Sequence, residues 1–283
     1  MNKIYATNWH QAVERPSNFM GNTRLFARNR LLDILSLADI HPPQPEFLRC
    51  LFCHYVFDDQ IAEFEKIIIG LKQIGKFVDT DTLLNMLSGN KPIAGRYFHL
   101  SFDDGLKNNF SNAMPILKKH QIPALFFVPS ALIDADWETA EHYCLTTTRY
   151  NNVIEMASWF DLKSAVDNGF EIGSHGKSHT RLSAISDNPI RLYEEVAESK
   201  LQLENKLGVE CKYIAWPYGT IKDIDQAGFS AIKAAGYKAA FANFRAAVRP
   251  GVTDPFCIPR HHFEPQWPWR HIQYFANGRK EAS

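Results

Sequence analysis

The chain has 283 residues, of which 45% are hydrophobic and 22% charged. That is the composition of a globular protein able to bury a core of its own, and it excludes a disordered or fibrous chain. Lys plus Arg and Asp plus Glu balance at 31 each, so the bulk attraction by which nucleic-acid binders hold phosphate is missing.

Residues 1–45 fit no repeating pattern, and HPPQPE at 41–46 is a stiff boundary. They are expected to form an N-terminal arm or cap, ahead of one domain over 46–283 that ends in a C-terminal extension. From Phe47 the pattern alternates strand and helix. FLRCLFCHYVF (47–57) reads as a strand, and DDQIAEFEKIIIGLKQIG has helical apolar spacing closed by Gly75. A turn near Phe77 and Val78 precedes a helix in DTLLNMLSG. RYFHLSF (96–102) is the next strand, followed by a helix to about His120 and a very apolar strand in ALFFVP. Residues 134–168 read as helical and irregular, and FEIGSH as a short strand. PIRLYEEVAESKLQLENKLG (189–208) is a clear helix, with Pro189 in its first turn and Gly208 at its end. A strand in CKYIAWP, a helix over about 222–236 and strands in YKAAF and FCIPR complete the pattern. Strands alternating with helices predict a parallel sheet with helices outside, closed into a barrel or left open.

The first twenty residues lack the apolar core of a signal peptide, and no apolar run approaches the roughly eighteen residues of a membrane span. Five cysteines are an odd number at low density, as expected in a reducing compartment. The expectation is a cytoplasmic protein with no transmembrane segment and no nucleic-acid partner. Cys50 and Cys53 have redox-pair spacing, yet they lie in what reads as a buried strand.

In α/β folds, chemistry collects at the carboxyl ends of the strands. Those ends carry His54-Tyr55, Asp103-Asp104-Gly105, Ser174-His175-Gly176-Lys177-Ser178-His179 and Pro217-Tyr218-Gly219. Neighbouring strand residues point to opposite faces, so Asp103 and Asp104 can share a site only if the strand ends there; Gly105 permits the turn. His175 and His179 with one carboxylate make a two-histidine, one-carboxylate set suited to Zn²⁺ or another first-row divalent ion. The second carboxylate would then be free to accept a proton.

Ser101-Phe102-Asp103-Asp104-Gly105 and Ser174-His175-Gly176-Lys177-Ser178-His179 resemble the T-F-D-D-G and H-[ST]-x-x-H motifs of the polysaccharide deacetylase superfamily (carbohydrate esterase family 4, the NodB-homology fold). The segment from Ala113 to Lys119 and Ala124 to Val128 is similar to the stretch that follows the first motif, and the resemblance runs from about Leu48 to Arg260. It implies a distorted (β/α) barrel, often seven-stranded. It makes Asp103 the general base and Asp104, His175 and His179 the ligands of one divalent metal, Zn²⁺ or else Co²⁺, Ni²⁺ or Mn²⁺. Ala215-Trp216-Pro217-Tyr218-Gly219 matches the third motif, R-x-P-[FY], with Tyr218 supplying a backbone N–H to the oxyanion. The usual arginine is Ala215 here, and Arg260 could approach the base from another side. The late histidine of the family has no clean counterpart. His54 is the favoured general acid by analogy with a branch that carries an early Y-H, with His261 and His262, in a loop after the last strand, as alternatives.

These readings together predict a metal-dependent N-deacetylase acting on an N-acetylated amino sugar in a glycan or glycan precursor. The missing export signal favours a cytoplasmic precursor, and a lipid-linked one would place the enzyme at the membrane periphery. The alternatives are a C–N hydrolase of a non-sugar amide, an O-deacetylase, and a non-catalytic carbohydrate-binding protein. Phe263 to Trp269 is rich in aromatics; Trp267 and Trp269 could stack on sugars, though packing is the simpler reading.

Overall fold

The computed structural model describes residues 3–13, 19–37, 44–279 and 281. Its strands are β1 (Phe47–Cys53), β2 (Lys76–Phe77), β3 (Arg96–Phe102), β4 (Leu125–Val128), β5 (Glu171–Ser174), β6 (Tyr213–Ala215), β7 (Ala239–Phe241) and β8 (Arg260–His262). Seven of them run in the order β7-β6-β5-β4-β3-β1-β8, all parallel. The ring nearly closes where Ile258, just before β8, exchanges hydrogen bonds with Ala240 and Ala242 at 2.9 and 2.8 Å. The result is a distorted (β/α) barrel with helices outside.

Alternation along each strand sorts the side chains. Leu48, Cys50, Leu125, Phe127, Tyr213, Ala215, Ala239 and Phe241 fill the lumen as one buried cluster. Phe98, Leu100, Phe102, Phe126, Val128 and Ile214 face outwards into the layer beneath the helices. Both faces of the strands are apolar because both are covered, which is why ALFFV reads as an unbroken run. Cys50 and Cys53 belong to opposite layers, each fully buried. Burial pushes the Cys50 thiol up to about 12 and the Cys53 thiol up as well, so neither is a reactive thiolate.

Two expectations need correction. Near Phe77 the chain does more than turn: β2 pairs with the first half of β3, and β4 pairs with the second half. The last strand begins only at Arg260, so His261 and His262 are strand residues and not a following loop. Pro255 and Pro259 lack the N–H a ladder needs, which defers regular pairing to Arg260.

The long helix expected over 189–208 is present in three parts. Helical turns at Pro189–Tyr193 and Ser199–Leu207 flank one wide π turn at Glu194–Glu198. Before the barrel, Ala6 and Thr7 hydrogen-bond Val153 and Asp58 at 2.8 and 3.0 Å. The helix Phe19–Leu37 meets the helix Trp269–Ala276, where Asp33 pairs with Arg270 and His271. The first half of the expected boundary at 41–46 lies outside the described residues.

Candidate active site

Strand register brings the polar residues to one rim. Cys53 pairs with Phe102 and Phe52 with His262, so His54, Asp103 and His262 emerge from three neighbouring strands. Val128 pairs with Ser174, which delivers His175 beside them. His54, Asp103 and His175, with Asp104, His179 and Tyr218, line a cavity of about 570 Å³.

Asp103 and Asp104 part company at a reversal of the backbone. Asp104 has φ +73° and Gly105 φ +64°, and a Cβ on Gly105 would press on Pro129 and Val128 at 3.2 Å. Asp103 therefore keeps the inward direction of β3. Arg260 reaches it from β8 as a two-pronged ion pair, Nη1 to Oδ1 at 2.7 Å and Nη2 to Oδ2 at 2.8 Å. The guanidinium is itself fixed by donating to Ser101 Oγ and Ala242 O, both at 3.0 Å, and lies over the Phe52 ring at 4.3 Å. Burial acts to raise the Asp103 pKa, but the charge and hydrogen bonds of Arg260 oppose it, and the carboxyl is held below its ordinary value. Arg260 thus stands against the buried carboxylate, while Ala215 contributes a small side chain to the lumen and a carbonyl to His175.

Asp104 Oδ1 faces His175 Nε2 at 3.6 Å and His179 Nε2 at 3.4 Å. These are longer than ordinary N–H···O bonds of about 2.9 Å. They match the separation of about 3.3–3.6 Å between donor atoms bound tetrahedrally at 2.0–2.2 Å to one Zn²⁺. His175 Nδ1 donates to Ala215 O at 2.6 Å, which leaves the Nε2 lone pair free as a ligand. Burial lowers the His175 pKa to about 4, so the imidazole is neutral as coordination requires. Asp104 is held well below the carboxylate range by the imidazoles despite its burial. The donor set therefore fits a divalent ion.

His179 and Tyr218 both sit in the left-handed region, at φ +63° and +65°, a conformation that costs about 1–3 kcal/mol where the residue is not glycine. What holds the His179 loop is Glu195, on the π turn. Its buried carboxylate accepts from Ser178 N, Ser178 Oγ and Thr180 N at 2.7–3.1 Å. Gly176 has φ +77°, and a Cβ there would meet Glu195 Oε1 at 2.5 Å. Glycine at that place in the second motif accommodates this carboxylate.

The three candidate acids separate clearly. His54 lines the cavity, with Nδ1 3.2 Å from His262 Nε2. His261 points to the outer layer, beside Ala246 O and Glu281 Oε1, each at 3.2 Å. Several neighbours carry no motif and are added by the fold alone. The Tyr143 ring packs on His179 at 5.5 Å, Arg181 lies over the Tyr218 ring at 4.4 Å, and Glu264 stands 3.5 Å from His262. Trp269 is packed against Gly70 in the helical layer, while Trp267 contacts His262 at 5.4 Å.

The sequence model of the polysaccharide deacetylase family matches residues 90–240, a stretch that includes both aspartates, both site histidines and Tyr218. The chain belongs to the polysaccharide deacetylase family. It is 27% identical over 207 residues to the poly-β-1,6-N-acetyl-D-glucosamine N-deacetylase of Staphylococcus aureus, a match covering 70% of this chain and 65% of that protein. It is 24% identical over 149 residues to Bacillus subtilis YxkH, covering 51% and 46% respectively. The chain therefore spans between about half and two thirds of the length of these curated relatives. Among solved structures, IcaB from Ammonifex degensii superimposes with a TM-score of 0.68 at 26% identity, over 83% of this chain and 99% of that one.

Proposed function

We propose that this polysaccharide deacetylase family member is a metal-dependent N-deacetylase that hydrolyses the acetamide of N-acetylglucosamine units in a glycan or glycan precursor. One observation carries the reading. A buried carboxylate locked to Arg260 stands beside a separate carboxylate–imidazole–imidazole set with metal-ligand spacing, in one cavity. A binding protein has no use for both. The sugar is supported by the staphylococcal relative, whose name gives β-1,6-linked N-acetyl-D-glucosamine polymer as its substrate. Further cavities of about 720 and 430 Å³ adjoin the first at Tyr218 and at Glu264, which suits neighbouring units of a chain.

Bound by Asp104, His175 and His179, a divalent ion, Zn²⁺ by its ligand set, would supply a Lewis acid for the acetyl carbonyl and a lowered pKa for water. The protein's own groups do the rest. Asp103 stays ionised because Arg260 faces it; each oxygen keeps a lone pair that can take the proton of the attacking water. Arg260 holds that carboxylate in one orientation. The Tyr218 backbone N–H would meet the developing oxyanion, and its left-handed turn sets its direction. His54, with Nδ1 turned to His262, would give a proton from Nε2 to the departing nitrogen. Acetate and a free amine result.

The same proposal places the enzyme in the cytoplasm, at the membrane surface where the precursor is lipid-linked. Its five cysteines are free thiols, in keeping with a reducing compartment. Among the described residues no helix is long and apolar enough to cross a membrane. The test of function is acetate release from β-1,6-linked N-acetylglucosamine oligomers by metal-loaded protein, with metal-stripped protein alongside. Release that persists at full rate without metal would refute it.

A further inference from the structure

Beside the first set of donor atoms stands a second, which shares His54 with the proposed reaction and adds two groups that the reaction does not use. His54, His262 and Glu264 present donor atoms within 4.8 Å of one another, and all three residues are part-exposed. His54 Nδ1 and His262 Nε2 are 3.2 Å apart, and His262 Nε2 and Glu264 Oε1 are 3.5 Å apart. Those separations lie at or close to the tetrahedral edge of about 3.3–3.6 Å set by bonds of 2.0–2.2 Å.

We propose that His54, His262 and Glu264 form a second, weaker divalent-cation site on the wall of the cavity, distinct from Asp104, His175 and His179. The ligand set, two imidazoles and one carboxylate, selects Zn²⁺, Co²⁺, Ni²⁺ or Cu²⁺ over Mg²⁺ and Ca²⁺, which prefer oxygen cages. The two rings are held in facing orientations by packing. His54 stands edge-on to Phe52 at 5.3 Å, and His262 packs edge-on against Trp267 at 5.4 Å. Two imidazole nitrogens that face one another at 3.2 Å cannot both carry a proton. They share one, or they share a metal ion. His54 and Glu264 both line the open cavity, so water can complete the coordination.

The weaker affinity follows from exposure. Asp104, His175 and His179 are buried, whereas the side chains of His262 and Glu264 are 24% and 20% exposed. An imidazole that coordinates through Nδ1 cannot become the doubly protonated acid. A second equivalent of metal would therefore remove the proton donor assigned above to His54, making excess Zn²⁺ an inhibitor.

The experiment counts metal and needs no substrate. Metal-free full-length protein is titrated with Zn²⁺ at pH 7.5 in competition with a chromophoric chelator. Wild type should take two equivalents, one tight and one at least tenfold weaker. Glu264→Gln and His262→Gln should each lose the weaker equivalent and keep the tight one. Asp104→Asn combined with His175→Gln should lose the tight equivalent and keep the weaker, which separates this proposal from the proposed function. Either single variant suffices should the other not fold. A single equivalent in wild type, or a weaker equivalent that survives both Glu264→Gln and His262→Gln, would overturn the second site.

Discussion

Asp103 and Asp104 are adjacent and chemically alike, and their surroundings give them different partners. One is opposed by a guanidinium, the other by two imidazoles, because the backbone reverses between them. Asp103→Asn should accordingly keep about one tight Zn²⁺ per chain while acetate release falls by about 10²–10⁴-fold, the usual scale of a lost general base. Loss of the tight metal in that variant would mean the two aspartates are assigned the wrong way round. The proton donor can be read in the same manner. His54→Ala should slow amide hydrolysis by about 10²-fold and cost far less on an activated aryl ester, whose leaving group departs without a proton. His261→Ala, on the outer face beside Glu281, should leave the amide-to-ester ratio unchanged. A selective amide defect in His261→Ala and none in His54→Ala would place the acid elsewhere. Both aspartates, both site histidines and His54 were legible as residues at strand ends, whereas Arg260, read as the end of FCIPR, opens the last strand instead. Tyr143, Glu195 and Glu264 were not legible. They sit in helical or irregular segments where a polar or aromatic residue is ordinary, and only the fold brings them against the site residues or the loop that carries His179.

At the scale of elements, the strands of the barrel followed closely from apolar runs and their turns, since each strand is buried on both faces. The widened helix did not. No spacing announces the π turn at Glu194–Glu198, yet it directs Glu195 onto the loop that carries His179. Glu195→Ala should loosen that loop and weaken the tight metal site by about 10-fold or more, the scale seen when groups supporting a ligand are removed. Competition titration checks this, and an unchanged affinity would mean the left-handed His179 is held by other contacts. The end of the barrel was misread for a physical reason. Apolar FCIP is a good strand by composition, but Pro255 before it and Pro259 at its end cannot donate to the ladder, so β8 starts later and carries the histidines with it.

At the scale of the molecule, the lumen is apolar except for a column of buried polar groups below the cavity. His99 is one of them, hydrogen-bonded to Thr80 Oγ1 at 3.0 Å and stacked on Phe241. Burial lowers its pKa to about 3, whereas the unfolded chain titrates near 6.5. Below about pH 6.5 the unfolded state therefore binds the extra proton, and stability falls as pH drops from there toward 3. The cost is about 1.4 kcal/mol per pH unit, or about 2 kcal/mol by pH 5. His99→Gln cannot gain that proton, so denaturant unfolding should show a smaller loss between pH 7 and pH 5 than wild type; equal losses would show that His99 is protonated without harm.

Two further cavities adjoin the candidate active-site cavity at Tyr218 and Glu264, which is the room that the proposed glycan substrate would need. The most direct measurement is the acetate released from a β-1,6-linked N-acetylglucosamine oligomer, with Zn²⁺ counted in the same samples, for wild type, Asp103→Asn and His175→Gln. The account predicts acetate and one tight metal in wild type, metal without acetate in Asp103→Asn, and neither in His175→Gln. Acetate release at the wild-type rate from His175→Gln protein without its tight metal would contradict it.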